Sequence, residues 1–157
     1  MELLQISEIG ENVVIEYGAS IGEDGFRYER QKDGTLQELP HKFGIIIKDN
    51  VRIRTGVVVD NGRWRDTVIG EGTKIDCQAH ISHNVIIGKN CMIHNNVNLC
   101  GSVEIGDNCE ILPLSNIHPH VKICDDVIIG DGSIVRKDII QAGTYVYAGN
   151  GKMRKIK

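Results

Sequence analysis

Aliphatic residues recur every six positions over nearly half of the chain: Ile69, Ile75, Ile81, Ile87, Ile93, Leu99, Ile105, Ile111, Ile117, Ile123, Ile129 and Val135. An α-helix repeats at 3.6 residues and a strand at two, so a strict period of six predicts neither alone. It predicts hexapeptide repeats wound into a parallel β-helix. A compact residue follows each aliphatic by four: Thr73, Ala79, Val85, Cys91, Val97, Val103, Cys109, Ser115, Val121, Val127, Ser133 and Ile139. Both positions are expected to point inward, because a coil of three short strands encloses a narrow space that one large and one small side chain fill.

Polar residues and glycine occupy the turns. Ile69-Gly70-Glu71-Gly72, Ile87-Gly88-Lys89-Asn90 and Ile105-Gly106-Asp107-Asn108 recur at a spacing of eighteen, so one coil is read as three faces. Gly or Asn at the third turn position suits a left-handed backbone conformation. The same register appears earlier, in Ile9, Ile15 and Ile21 and in Ile47, Ile53 and Val59. Residues 23–44 break it and read as a loop extruded from one corner, with Asp33-Gly34 as its hairpin turn. A four-residue slip lies at Asn61-Gly62-Arg63-Trp64-Arg65-Asp66. The expected fold is therefore all-β. It is a single domain over residues 1–157, with coils over about 9–140 and a tail at 141–157.

Composition narrows the functions. Aromatic residues make up 4% of the chain, which suits a thin interior. A net charge of −3 leaves no broad basic surface for nucleic acid. No signal peptide or membrane-spanning apolar run is read, so a cytoplasmic location is the default. The five cysteines lack CxxC spacing, and Cys91 and Cys109 fall at inward positions, so reduced thiols and no metal are expected.

The candidate chemistry lies among six histidines. The corner after Ile81 carries Ser82-His83-Asn84; one coil on it carries Cys100-Gly101-Ser102, and two coils on His118-Pro119-His120. His83 and the His118/His120 pair thus share an edge roughly 10 Å apart, with Gly101 leaving a notch between them. An imidazole beside a notch is a candidate general base. Asn84 is placed to orient either the acceptor or the imidazole, and Gly101, His118 and His120 are placed to line a substrate. His94 lies on another corner and His80 is read as ending a strand, so both read as structural. Trp64 reads equally well as loop packing or as a cover over the acceptor. At the end of the coils, the segment from Gly132-Ser133 through Lys152, Arg154 and Lys155 reads as a phosphate clamp.

These motifs resemble the left-handed β-helix acyltransferases, and among them the UDP-acylglucosamine N-acyltransferases. The residues that carry the resemblance are Asp66-Thr67-Val68-Ile69-Gly70-Glu71-Gly72-Thr73-Lys74-Ile75-Asp76, Ile81-Ser82-His83-Asn84-Val85, Gly101-Ser102 and the earlier Asp24-Gly25-Phe26. The resemblance spans roughly residues 9–135. It implies left-handed coils, a catalytic base at His83, a second family histidine at His120, and homotrimers with the site between adjacent prisms. Two departures redirect it. The family's N-terminal uridine-holding domain has no counterpart here, and Asn95-Asn96 and Leu112-Pro113 replace glycines, which is expected to shorten an acyl channel. The C-terminal Ala148-Gly149-Asn150-Gly151-Lys152 is similar instead to the closing segment of the coenzyme A-dependent sugar acetyltransferases. With that likeness, Ser133, Lys152, Arg154 and Lys155 become candidate coenzyme contacts.

The expected activity is transfer of an acetyl group from acetyl-CoA to the amine of a nucleotide-linked amino sugar, with His83 as base. Three alternatives stand beside it. One is a long-chain, acyl carrier protein-dependent UDP-glucosamine N-acyltransferase. Another is a zinc carbonic anhydrase-like prism, which lacks its third histidine because position 123 is Ile. The last is a non-catalytic solenoid.

Overall fold

The computed structural model describes residues 6–149 and 152–157. Three parallel sheets wind around one core. The first face stacks Ile6–Ile9, Ile45–Ile47, Thr67–Ile69, Ile86–Ile87, Glu104–Ile105 and Lys122–Ile123. The second stacks Val14–Ile15, Arg52–Ile53, Lys74–Ile75, Met92–Ile93, Glu110–Ile111 and Val127–Ile129, and continues into Gly143–Tyr147 and Met153–Lys155. The third stacks Ser20–Glu23, Val58–Asp60, His80–Ile81, Asn98–Leu99, Asn116–Ile117 and Ile134–Val135. The chain is the expected left-handed parallel β-helix of about six turns. No helix among the described residues is long and apolar enough to cross a membrane.

The hexad register explains the winding. All twelve periodic aliphatics are buried, and so are all twelve compact residues four places on. Each stacks on its equivalent one coil away, as Ile75 does on Ile53 and Ile93. From Gly72 to Gly132 every sixth residue has positive φ, including Gln78, Asn84, Asn90, Asn96, Ser102, Asn108, Leu114, His120 and Asp126. Each corner is closed by one left-handed residue, a conformation that Asn tolerates better than most side chains. Cys91 and Cys109 are buried in the stack, and all five thiols are free.

The ends of the stack depart from the inward expectation. Ile9 is 54% exposed and Ile15 37% exposed, because no described coil lies beneath the first one. At the other end, the segment read as a tail extends the second face. Gly143–Tyr147 pairs in parallel with Val127–Ile129, and Met153–Lys155 folds back antiparallel on it.

Insertions leave the prism at one edge, where the third face turns into the first. Residues 24–44 depart after Ser20–Glu23 and carry an antiparallel hairpin, Tyr28–Arg30 with Leu36–Glu38. Its turn holds Gly34 at φ +88, as Asp33-Gly34 predicted. The slip at residues 61–66 follows Val58–Asp60 at the same edge, and Ser82-His83-Asn84 follows His80–Ile81.

Candidate active site

One edge therefore gathers the extruded loop, the slip and the His83 corner. His83 is half-buried. Its Nδ1 lies 3.1 Å from Asn84 Oδ1. That oxygen already accepts the backbone N–H of Arg63 at 2.8 Å. An amide N–H only donates, so the Asn84 atom facing both groups is the carbonyl oxygen, and His83 Nδ1 must carry the proton to bond it. The lone pair is left on Nε2, the nitrogen a general base needs.

Asn84 itself is fully buried, with φ +64. Its backbone N–H donates to Thr67 Oγ1 at 2.9 Å, and its carbonyl accepts both Nε and Nη2 of Arg65 at 3.2 and 3.1 Å. Arg65 also reaches Glu104 at 3.0 Å, and Lys122 reaches the same carboxylate at 3.0 Å. Hydrogen bonding to Lys122 above all, helped by Arg65, holds the Glu104 carboxyl below the usual carboxylate range although burial works the other way. Of the two roles expected for Asn84, the structure supports orientation of the imidazole. A side chain buried to this degree cannot touch an acceptor, so the expectation of a substrate contact is corrected.

Gly101 is also reinterpreted. A Cβ there would lie 2.6 Å from His83 Cε1 and 2.8 Å from Nε2. The space above Gly101 is filled by the imidazole, so no notch remains. The glycine leaves room for the His83 ring.

Two residues outside the hexad register complete the surroundings of His83. The buried His41, from the extruded loop, stacks at 5.5 Å between ring centroids. Trp64, from the slip, stands edge-on at 5.8 Å, with the Arg63 guanidinium 4.8 Å from the indole centroid. His41 Nδ1 is 3.8 Å from Asp24 Oδ2, beyond hydrogen-bond reach, and neither ring nitrogen has a hydrogen-bond partner. Burial pushes the His41 pKa down, and Asp24 offsets part of that. Gly25 explains the local packing: a Cβ there would lie 2.8 Å from Asp60 Oδ2 and 3.3 Å from His41 Nε2. Asp60 in turn bonds His80 Nε2 at 3.2 Å, which raises the His80 pKa despite its partial burial. His94, on the edge between the second and third faces, pairs with Glu110 at 2.8 Å.

The remaining expected site residues spread along or away from this edge. His118 is half-buried and His120 exposed, two rungs beyond His83 and so about 10 Å up the edge. At the top of the edge lies a groove of about 540 Å³, lined by Arg136, Lys137, Gln141, Tyr145, Lys152 and their neighbours. Lys152 is among its walls; Arg154 and Lys155, on the antiparallel return strand, are exposed but are not. Asn150 and Gly151 of the closing motif lie outside the described residues. Ser133 requires correction. It occupies an inward hexad position, fully buried, with an unpartnered Oγ. Its side chain faces the core, so it cannot meet a surface-bound coenzyme. No group of three or more His, Cys, Asp or Glu among the described residues is arranged to hold a metal ion.

Comparison with known proteins places this geometry. The bacterial transferase hexapeptide family (six repeats) matches residues 66–101 and 102–137. A UDP-3-O-acylglucosamine N-acyltransferase of Rhodopseudomonas palustris (strain BisB5) is 47% identical over 100 residues, which cover 64% of this chain and 27% of that protein. A crystal structure of a UDP-N-acetylglucosamine acyltransferase superposes with a TM-score of 0.78 at 27% identity, covering 90% of this chain and 52% of the other. PerB from Caulobacter crescentus, solved in complex with CoA and GDP-perosamine, has a TM-score of 0.63 at 18% identity, covering 91% of this chain and 54% of that one. The chain thus spans about a quarter to a half of the length of the proteins it resembles.

Proposed function

We propose that this left-handed parallel β-helix, whose residues 66–101 and 102–137 match the bacterial transferase hexapeptide family, is a sugar N-acetyltransferase. It moves an acetyl group from acetyl-CoA to the amine of a nucleotide-linked amino sugar. The observation that carries this reading is the 3.1 Å contact of His83 Nδ1 with Asn84 Oδ1, an oxygen that also accepts Arg63 N–H, which assigns the proton to Nδ1 and leaves the lone pair on Nε2.

The acceptor amine attacks the thioester carbonyl, forming the C–N bond. His83 Nε2 takes the amine proton as the C–S bond breaks and returns it to the departing thiolate. Positioning of thioester and amine supplies much of the remaining acceleration. In this reading the coenzyme runs up the edge from His83, past His118 and His120. Its phosphates meet Arg136, Lys137 and Lys152 at the groove, with Arg154 and Lys155 adding long-range positive potential. The likeness to PerB, whose structure holds CoA and GDP-perosamine, supports this choice of donor and acceptor class. Residues 1–157 act as one domain, in the cytoplasm, where nucleotide sugars are made. A single edge cannot enclose both substrates, so a homotrimer supplies the opposite wall from a neighbouring prism.

The test is His83→Ala with acetyl-CoA and nucleotide-linked amino sugars. Turnover falls by ~10²–10⁴, while full turnover would remove His83 as base. Sedimentation that finds a monomer under turnover conditions would remove the shared wall. A second reading, N-acylation of a UDP-3-O-acylglucosamine by a longer acyl donor, draws on the 47% identity to that enzyme class. Activity with hydroxyacyl carrier protein and none with acetyl-CoA would select it.

A further inference from the structure

Trp64 is the chain's single tryptophan, and 48% of it is exposed. Leaving so large an apolar ring half in water forgoes burial that a loop of this kind could provide. Its neighbour supplies a cation: the Arg63 guanidinium forms no ion pair among the described residues and lies 4.8 Å from the indole centroid.

The backbone that presents this pair is fixed. At Gly62 a Cβ would overlap Arg65 O, so the chain turns too tightly there for any side chain. The Arg63 N–H is held by Asn84 Oδ1, the same oxygen that sets the His83 tautomer. Arg65 pins the far side of the slip to Asn84 and Glu104. An exposed aromatic plane and an unpaired cation are therefore held in fixed register with the imidazole, 5.8 Å away.

We propose that Arg63 and Trp64 form the acceptor subsite: the sugar ring of a nucleoside diphosphate sugar lies on the indole and its pyrophosphate meets the guanidinium. The electron-rich indole face suits the C–H face of a pyranose. A guanidinium matches phosphate oxygens with paired donors. A ring seated on Trp64 carries its substituents alongside His83. The subsite rests on the acetyltransferase reading only for the presence of the amine; the binding itself is independent of it.

The lone tryptophan makes the test direct. Intrinsic emission is titrated with UDP-glucosamine, UDP and free glucosamine, and then with GDP- and dTDP-linked amino sugars, with calorimetry on the same solutions. The expected result is a saturable emission change with at least one nucleotide sugar, a smaller one with the matching nucleoside diphosphate, and none with free glucosamine. Arg63→Ala weakens both phosphorylated ligands by on the order of tenfold, with an unchanged circular dichroism spectrum. Trp64→Ala, followed by calorimetry, weakens the nucleotide sugar more than the nucleoside diphosphate. Calorimetric binding that leaves emission unmoved, or no binding of any of these ligands, overturns the subsite. Emission that depends on protein concentration and not on ligand overturns it in favour of a subunit contact. An emission response without acetyl transfer sustains the subsite and removes the proposed reaction.

Discussion

His83 Nδ1 and Asn84 Oδ1 sit 3.1 Å apart in adjacent residues, one half-buried and the other fully buried. The pairing depends on the left-handed backbone at Asn84, which turns the amide inward while His83 faces the edge. Asn84→Gly keeps the φ +64 conformation but deletes the oxygen. The imidazole is then free to exchange tautomers and orientations, and Arg63 loses its anchor. The expected outcome is a folded protein whose kcat falls by on the order of tenfold or more, with a smaller change in coenzyme KM. Steady-state kinetics beside a thermal melt checks it; unchanged kcat would show that Asn84 is only a corner residue.

Gly101→Ala tests the seat of the same ring from the other side. The new methyl would meet His83 Cε1 at 2.6 Å and Nε2 at 2.8 Å, so the imidazole must swing away. Gly101 lies at a surface corner and does not have positive φ, so the rung itself is undisturbed. The melting temperature is expected to stay near that of the parent, while turnover approaches that of His83→Ala. Retained turnover would mean that the base does not work from the observed position.

The core supports a stability prediction with an internal control. Ile93 is 1% exposed and stacked between Ile75 and Ile111. Ile93→Ala should cost ~2–5 kcal/mol in chemical denaturation. Ser133→Ala removes a buried hydroxyl whose Oγ has no partner, so it should be neutral or slightly stabilising. Its coenzyme affinity should match that of the parent. A loss of affinity in Ser133→Ala would reinstate the coenzyme contact that burial argues against.

The sequence makes the coils legible because a period of six constrains every inward side chain. The same register placed His83, Gly101, His118 and His120 on one edge. It also held the information that corrects Ser133, since position 133 is an inward member of the compact series. His41 was not legible. It lies in an insertion with no register of its own, and tertiary packing alone carries it to His83. One signal did exist: Ile21, Val59 and Ile81 occupy equivalent third-face positions, and the loop, the slip and the His83 corner each follow one of them. Counting hexads through the interruptions brings all three segments to one edge. The pairing of Arg63 with Trp64 was hidden because an indole's neighbours depend on how the slip folds, which no periodicity encodes.

The pKa values of His41 and His80 are shifted in opposite directions, and this sets the pH dependence. Burial lowers the His41 pKa below its ordinary value of about 6.5. The unfolded chain therefore binds a proton more readily there, and His41 costs stability as pH falls through about 6.5 towards its folded pKa. Asp60 raises the His80 pKa, so His80 adds stability that is fully present below about 6.5 and is lost as pH rises through its folded pKa. His80 is the more exposed of the two, and solvent screening weakens its contribution. The His41 effect is therefore expected to dominate on the acid side. His41→Gln keeps a polar side chain of similar reach without a titrating ring. It should flatten the fall in melting temperature between about pH 6.5 and pH 5, whereas His80→Gln should leave that slope nearly unchanged and remove a loss of stability as pH rises above about 6.5. Differential scanning fluorimetry across that range gives the answer, and parallel curves for His41→Gln and the parent would show that His41 is not what makes the edge acid-labile.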